Sequence, residues 1–303
     1  MNKMLYTIFP YRLSLIARLS MVLMLAWLLT ACRGNSDGQD TAAQDAGEQL
    51  TEFFEQTADG VGGNTRKKND GTVATKRPQG IEIPAALKDK PEVILRRTGY
   101  TVSYNTKTQI PNWVAWKLTA SHTRGSAERG QEIFNEDTEA PYPRVTDADY
   151  YGSGFDRGHM CPAGDNKWDR RAMNETFLFT NVCPQVHRLN AGPWNDLEMA
   201  CRRWARELGE IYIVCGPLLS GGQHRTIGRH KVVVPERFFK VILCNKGTPK
   251  AIGFIYDNDG HNSEKMFSHA TTVDEVERLT GIDFFPRLED KIENLVEANR
   301  GYF

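Results

Sequence analysis

The stretch Gly152-Ser153-Gly154-Phe155-Asp156-Arg157-Gly158-His159-Met160 decides the fold and the chemistry of this chain. Its glycines mark a turn, and on the extended segment that follows, alternate residues point to the same face. Arg157 and His159 therefore pair a permanent cation with a group that titrates near neutral pH. This pair suits phosphodiester cleavage, because a histidine can activate water while an arginine balances the charge that grows on phosphate.

Oxygen-bearing side chains follow downstream. Asn181 precedes Asn190 by nine residues, and Asn190 precedes Glu198 by eight. Amide and carboxylate oxygens suit a hard cation such as Mg²⁺, which keeps most of its waters and takes few ligands from a protein. The sequence therefore predicts a magnesium site that follows the histidine.

Further motifs continue in a fixed order: Glu175-Thr176-Phe177, Pro184-Gln185, Trp194, Gly216-Pro217 and Thr280-Gly281-Ile282-Asp283-Phe284-Phe285-Pro286. Together with residues 152–160 they resemble the DNA/RNA non-specific endonucleases, the ββα-metal (His-Me finger) nucleases that include endonuclease G. The resemblance covers about residues 90–290. It implies an α+β fold in which helices flank a central, mainly antiparallel sheet. It also implies a Mg²⁺-dependent enzyme, with Mn²⁺ as a substitute, that cuts DNA and RNA and leaves 5′-phosphate ends.

The resemblance assigns roles at the metal and the attacking water. His159 matches the general base, and Asn190 matches the sole protein ligand of a hydrated Mg²⁺. Glu198 matches the acid that holds the metal-bound waters.

Other matching positions surround the phosphate. Asn181 matches a supporting asparagine, and Arg157 matches the motif arginine beside the base. Arg129 is the candidate for an upstream phosphate-binding arginine, although Arg124 lies nearby. We expect Asp156 to fix the turn rather than to take part in the chemistry.

Several alternatives stay open at the level of sequence. The same fold could retain nucleic acid without cutting it, or it could hydrolyse small nucleotide diesters. His159, Cys161, Cys183 and His187 could instead form a zinc site. This would leave four residues unexplained: Asp156, Arg157, Asn190 and Glu198. A disulfide between Cys161 and Cys183 suits an exported chain better than a zinc site does.

Bulk composition limits the class of protein but not its ligand. Hydrophobic residues make up 40% and charged residues 25%, which argues against a wholly disordered chain. The 38 basic and 38 acidic residues balance, so net charge gives no sign of a nucleic-acid binder. Basic residues concentrate in 224–240, and they could follow a phosphate backbone or form an ordinary basic surface. Arg202, Arg203 and Arg206 are expected on a solvated helix face.

The N-terminus has the order of an export signal. Basic residues precede an apolar run of 13 residues, Leu19–Ala31, which is too short for a comfortable membrane span. The run ends in Leu29-Thr30-Ala31-Cys32, which resembles a bacterial lipobox. We therefore predict a lipoprotein signal peptide over 1–31, a lipid on Cys32 that anchors the chain to a membrane, a flexible polar tether over 32–80 and a nuclease domain over 81–303. This predicts a lipid-anchored protein of the bacterial cell envelope.

Hydrophobic patterning places the regular elements of that domain. The predicted strands lie near 93–95, 100–104, 113–119, 177–182, 211–215, 231–234, 238–243 and 251–256. The predicted helices lie near 193–208, 272–281 and 287–298. Strands and helices alternate without a βαβ rhythm, which favours the α+β class.

Overall fold

The structure is a computed structural model that describes residues 80–128, 130, 133–263 and 265–303. The predicted signal peptide, Cys32 and nearly all of the predicted tether lie outside the described residues, as does Arg129. The described residues belong to one compact unit, Thr75–Phe303. Within the described ranges, every helix is too short or too polar to cross a membrane.

The strands alternate irregularly with short helices. In chain order the strands are β1 (Val93–Arg96), β2 (Thr101–Asn105), β3 (Ile110–Thr119), β4 (Asp156–His159), β5 (Val182–Gln185), β6 (Glu210–Leu218), β7 (Thr226–Ile227), β8 (Val232–Val233), β9 (Arg237–Cys244), β10 (Lys250–Asp257) and β11 (Ala270–Thr271). The α-helices are α1 (Asp147–Tyr150), α2 (Arg170–Glu175), α3 (His187–Leu189), α4 (Asn195–Leu208), α5 (Val273–Thr280) and α6 (Asp290–Ala298).

The main sheet is antiparallel throughout. Among the described residues it holds seven strands in the order β1-β2-β3-β6-β9-β10-β11, while β4 pairs with β5 and β7 with β8. The predicted α+β class with a central, mainly antiparallel sheet is confirmed.

Helices cover both faces of this sheet. Along β6, Ile211 and Ile213 face the core that holds Leu197 of α4, whereas Tyr212 and Val214 face a second core. That second core includes residues of α5 and α6. Because successive strand residues point to opposite faces, an unbroken apolar strand is what a sheet covered on both sides requires.

Helix α5 shows how the local sequence sets its ends. The Thr272 hydroxyl accepts a hydrogen bond from the Glu275 backbone N–H at 3.2 Å, which caps the first turn. Gly281 follows the last turn with φ of 69°, a left-handed conformation that glycine adopts without strain. The predicted helix near 272–281 is confirmed.

Two of the predicted strand limits are wrong. The apolar run 177–182 forms a 3₁₀ turn at Phe179–Asn181 and reaches extended structure only in β5. Its phenylalanines fill the core beside β4 instead of pairing in a sheet. Strand β6 continues through Gly216, where we expected it to stop, because β9 pairs with it as far as Leu218.

The predicted disulfide is also wrong. Cys161, Cys183, Cys201, Cys215 and Cys244, the cysteines among the described residues, are buried free thiols. The residue opposite Cys183 in the β4–β5 pair is Gly158, and Cys161 lies beyond the end of β4. Burial raises the pKa of both thiols well above the usual range, so both stay protonated.

Candidate active site

A β-hairpin-like pair and the helix that follows it build the site. Strands β4 and β5 pair antiparallel, with Asp156 opposite Gln185 and His159 opposite Val182. A Cβ at Gly158 would collide with the Gln185 side chain, so only glycine allows the strands this close. The chain then passes through α3 into α4, which completes a ββα unit.

A kink between α3 and α4 brings separate residues together. Gly192 leaves the helical region at φ −108° and ψ −114°, and Pro193 follows it. Proline cannot continue a helical hydrogen-bond ladder, so α4 sets out in a new direction. As a result, Asn190 before the kink and Glu198 after it line the same cleft.

The cleft has a volume of about 810 Å³ and a mainly polar lining. It gathers four of the predicted site residues, Arg157, His159, Asn190 and Glu198, from three separate segments of the chain. Among those that line it are Asp156, Arg157, His159, Asn190, Glu198 and Arg202.

The His159 ring is positioned by aromatic packing. Its centroid lies 5.0 Å from that of Phe134 and 5.0 Å from that of Phe177, which meets it edge-on. The Trp194 indole N–H donates to the His159 backbone oxygen at 3.3 Å. The imidazole is therefore held from two sides at the wall of the cleft, where it can act on a bound water.

Asp156 fixes the orientation of the Asn190 amide. Asn190 Nδ2 donates to Asp156 Oδ2 at 2.9 Å, and His187 Nδ1 hydrogen-bonds the same oxygen at 2.8 Å. An ionised carboxylate only accepts hydrogen bonds, so it holds the amide nitrogen and leaves the amide oxygen to the cleft. An oxygen is the atom that a hard cation needs, and the donor set therefore suits Mg²⁺. Asp156 therefore also orients Asn190, and the expectation that it takes no part in the chemistry stays a prediction.

Glu198 belongs to a buried charge network. Arg202 Nη1 lies 3.9 Å from Glu198 Oε2 and donates to Asp165 Oδ1 at 3.0 Å. The Trp116 indole N–H donates to the other Asp165 oxygen at 3.0 Å. The Arg202 side chain is only 17% exposed, so the predicted solvated face is wrong for this arginine. It holds Glu198 instead.

Lys240 is a second buried cation near this network. It is fully buried, and its Nζ lies 4.3 Å from the centre of the Trp194 ring, a cation–π contact. Burial alone would lower the pKa of Lys240, but negative groups around it, among them Glu198 and Asp165, hold it above the usual range. Lys240 therefore does not follow a phosphate backbone, which the basic stretch 224–240 had left open.

With this geometry in place, the comparisons with known proteins are decisive. Residues 79–291 match the family described as DNA/RNA non-specific endonuclease. The chain belongs to the DNA/RNA non-specific endonuclease family. The predicted resemblance and the ββα-metal fold are confirmed.

Members of this family from distant organisms are similar to the chain. It is 36% identical over 205 residues to the mitochondrial nuclease EXOG of Xenopus laevis, and this covers 63% of the chain and 57% of the relative. It is 33% identical over 218 residues to bovine mitochondrial endonuclease G, which covers 68% and 73%. A Nostoc nuclease is 35% identical over 217 residues, which covers 68% and 77%. The match thus spans little more than half of the Xenopus relative.

A solved structure is similar as well. The structure titled as an EndoG/EndoGI complex superposes with a TM-score of 0.59 at 28% sequence identity. The superposition covers 66% of this chain and 89% of the other.

In this member of the family, an ion pair with Asp147 holds Arg157 at the edge of the cleft. Its Nε donates to Asp147 Oδ1 at 2.7 Å, and its guanidinium lies 5.6 Å from the centre of the Tyr150 ring. The structure therefore places Arg157 beside His159 at the cleft, as the alternation of residues predicts, and holds it with a partly exposed ion pair.

The structure does not bring Asn181 to the cleft. The Asn181 side chain is fully buried, and its oxygen accepts from the Cys161 N–H at 2.9 Å. Its Nδ2 donates to the backbone oxygens of Cys161 and Thr176 at 2.8 and 2.9 Å. Asn181 thus positions the segment after His159 and does not contact a phosphate directly. Arg129 lies outside the described residues, although its neighbour Glu128 lines the cleft.

The proposed zinc ligands do not gather. Among the described residues, the His, Cys, Asp and Glu side chains that bring three or more ligand atoms within 4.8 Å of one another are Asp274, Glu277 and Glu297. None of these belongs to the zinc alternative, which is therefore wrong.

Sequence reasoning missed several residues of the site. Phe134, Lys167 and Asn195 line the cleft, but nothing in their spacing announces it. Lys240 did carry a signal, because it interrupts the apolar run Phe238–Leu243 of a strand that is buried on both faces. A lysine at such a position has to find compensation inside the protein.

Proposed function

We propose that this chain is a sugar-nonspecific endonuclease that hydrolyses phosphodiester bonds of DNA and RNA, uses Mg²⁺ with Mn²⁺ as a substitute, and leaves 5′-phosphate ends. The observation that carries the proposal is the convergence of His159, Asn190 and Glu198 on one polar cleft in a chain of this family.

His159 acts as the general base. Its ring takes a proton from the water that attacks phosphorus, and the flanking phenylalanines keep the ring from turning away. A histidine has its ordinary pKa near neutral pH, which suits a base that must accept and then release a proton in each turnover.

Asn190 and Glu198 make the metal end of the cleft. The amide oxygen of Asn190 would hold the cation directly, and Glu198 would hold its waters, with Arg202 fixing the carboxylate. When bound, the divalent cation supplies electrostatic stabilisation of the charge on the leaving oxygen. The partner network beneath Glu198 means that little rearrangement is needed as that charge develops.

Cationic groups at the cleft bind the phosphate backbone. Arg157 and the exposed Lys167 line the cleft, and we assign Arg129 the upstream phosphate contact on the resemblance alone. Such contacts fix the register of a nucleic acid without selecting a sequence, which is consistent with cleavage of both DNA and RNA.

Digestion of supercoiled plasmid and of a structured RNA by the purified protein tests the proposal. We expect both to be cut with Mg²⁺, neither to be cut with EDTA, and the new 5′ ends to accept ligation without a kinase step. Retention of plasmid without cleavage would favour a binding protein. Hydrolysis of small diesters but not of polymers would favour a phosphodiesterase on nucleotides.

We further propose that the enzyme is held at the bacterial cell envelope by lipid on Cys32, with residues 32–80 as its tether to the membrane. The basic start, the apolar run Leu19–Ala31 and the lipobox-like ending support this. Each buried methylene adds about 0.8 kcal/mol of membrane affinity, so several acyl chains anchor firmly. Mass spectrometry of the mature N-terminus should show a modified Cys32, and Cys32→Ser should lose it. An unmodified mature chain that begins elsewhere would refute the anchor but not the nuclease.

A further inference from the structure

Three carboxylates meet at a corner of the molecule away from the cleft. Asp274 and Glu277 lie on α5 and Glu297 lies on α6, and one ligand oxygen of each falls within 4.8 Å of the others. Helices α5 and α6 pack on the second core, whereas the cleft helix α4 packs on the first, so the sheet separates this corner from the active site.

Glu297 is the informative member of the cluster. It is only 6% exposed, and its Oε1 is a buried atom with no hydrogen-bond partner among the described residues. Burying a polar atom without a partner is costly, and Glu297 also offers a carboxylate oxygen to a cluster of other carboxylates, where a cation would supply the missing partner.

Glu277 is already held in place for such a role. Its Oε1 accepts a hydrogen bond from the Phe284 backbone N–H at 2.7 Å. This contact fixes the side chain, which offers a carboxylate oxygen to the cluster. Asp274, one turn earlier on the same helix, is exposed and closes the cluster from the solvent side.

The surroundings add negative charge and no compensation. Burial, together with the negative charges of Glu277, Glu293, Asp274 and Asp283, raises the pKa of Glu297 to about 9. Helix α6 has no basic residue in its last turn, where Glu297 lies at the negative end of the helix dipole. The carboxylates at this corner therefore repel one another unless a cation or protons neutralise them.

We propose that Asp274, Glu277 and Glu297 form a Ca²⁺ site that is separate from the catalytic metal. Oxygen-only ligation favours a hard cation, and Ca²⁺ accepts carboxylates at about 2.3–2.6 Å in flexible geometry. Two oxygens that bind one such ion lie at most about 5 Å apart. The three oxygens of this cluster all lie within 4.8 Å of one another, so one ion can reach all of them. Bound Ca²⁺ would tie α6 to α5 and stabilise the C-terminal part of the fold.

Only part of the site lies in the region that matches the family, because Asp274 and Glu277 fall inside it. The match ends at residue 291, and Glu297 lies beyond it. The proposal is therefore independent of the nuclease assignment, and either can fail without the other.

Calcium titration of the purified full chain in an Asn190→Ala background tests the site, because this background removes the direct ligand of the catalytic metal. Calorimetry should show one Ca²⁺ per chain, and Ca²⁺ should raise the thermal unfolding midpoint. Adding Glu297→Gln should abolish both effects. The matched control is Glu275→Gln, on the same helix but paired with Arg278 outside the cluster, and it should keep both effects.

A second variant protects the test against misfolding. Asp274→Asn changes an exposed residue, so the protein should stay folded while Ca²⁺ affinity falls at least tenfold. The proposal is overturned if the Asn190→Ala protein binds no Ca²⁺ at millimolar concentration, which would make the cluster a set of protonated carboxyls. It is equally overturned if the Glu297→Gln and Asp274→Asn variants bind Ca²⁺ as tightly as the Asn190→Ala parent.

Discussion

Asp165, beneath the cleft, and Glu297, between α5 and α6, are both buried carboxylates, at 2% and 6% exposure. Their neighbours differ. Asp165 accepts hydrogen bonds from Arg202 and from Trp116, whereas the charged groups around Glu297 are acidic. Asp165 is thus compensated by partners within the protein, while the α5–α6 corner is completed only by a proton or a cation.

This contrast explains what each region can do. In the cleft, the ion pair between Asp165 and Arg202 fixes the Arg202 side chain on α4. Arg202 in turn lies 3.9 Å from the carboxylate of Glu198 and helps to position it. A group held in advance needs no rearrangement as charge develops on the substrate. At the corner, carboxylates on α5 and α6 repel one another, so the free energy of unfolding depends on pH and on bound ions.

The largest loss of stability is expected for Arg202→Met, which removes the cation that compensates Asp165. Removing Arg202 leaves Asp165 buried without its cation, and breaking such a pair costs about 3–5 kcal/mol. We expect urea unfolding to show that loss. Arg203→Met, one residue along on the exposed face, should change the free energy of unfolding by no more than about 0.5 kcal/mol. Equal stabilities of the two variants would contradict the network.

A smaller effect is expected for Lys240→Met. The variant keeps the apolar bulk but loses a desolvated cation–π contact with Trp194, which is worth about 2 kcal/mol. Chemical denaturation checks the loss, with Lys246→Met on the exposed surface as control. A Lys240→Met protein that is as stable as its parent, or more stable, would mean that the cleft does not need this cation.

The third effect concerns pH, and it separates the corner from the cleft. In EDTA, folding raises the pKa of Glu297 from 4.5 to about 9, so the folded chain holds a proton that the unfolded chain releases. The free energy of unfolding should therefore fall as pH rises between these values. Glu297→Gln should flatten that fall in thermal unfolding from about pH 5 to about pH 8. The exposed Glu207→Gln should leave it unchanged, and a parental slope in Glu297→Gln would be evidence against the assignment.

How much of the molecule the sequence predicts depends on whether the signal is local. The ββα unit and its catalytic positions follow from motif order, because His159, Asn190 and Glu198 lie within 40 residues of one another. The helix at Thr272 follows from its capping residue. These features need no knowledge of distant segments.

The buried partners could not be predicted in this way. Asp165 meets Trp116 across 49 positions and Arg202 across 37, and no periodicity links such residues. The run 177–182 has strand composition but serves as core filling around His159, so tertiary packing overrides propensity there. The expected disulfide failed for a similar reason, since strand register separates the two cysteines.

The central claim is that His159 is the general base of a metal-dependent nuclease, and one measurement tests it most directly. The rate of plasmid relaxation with Mg²⁺ is compared for the parent, His159→Ala and the exposed His261→Ala, with circular dichroism to confirm folding. The account predicts a loss of about 10²–10⁴-fold for His159→Ala and a near-parental rate for His261→Ala. A folded His159→Ala protein that relaxes plasmid at more than about half the parental rate would contradict it, because removing a general base costs at least about 10²-fold.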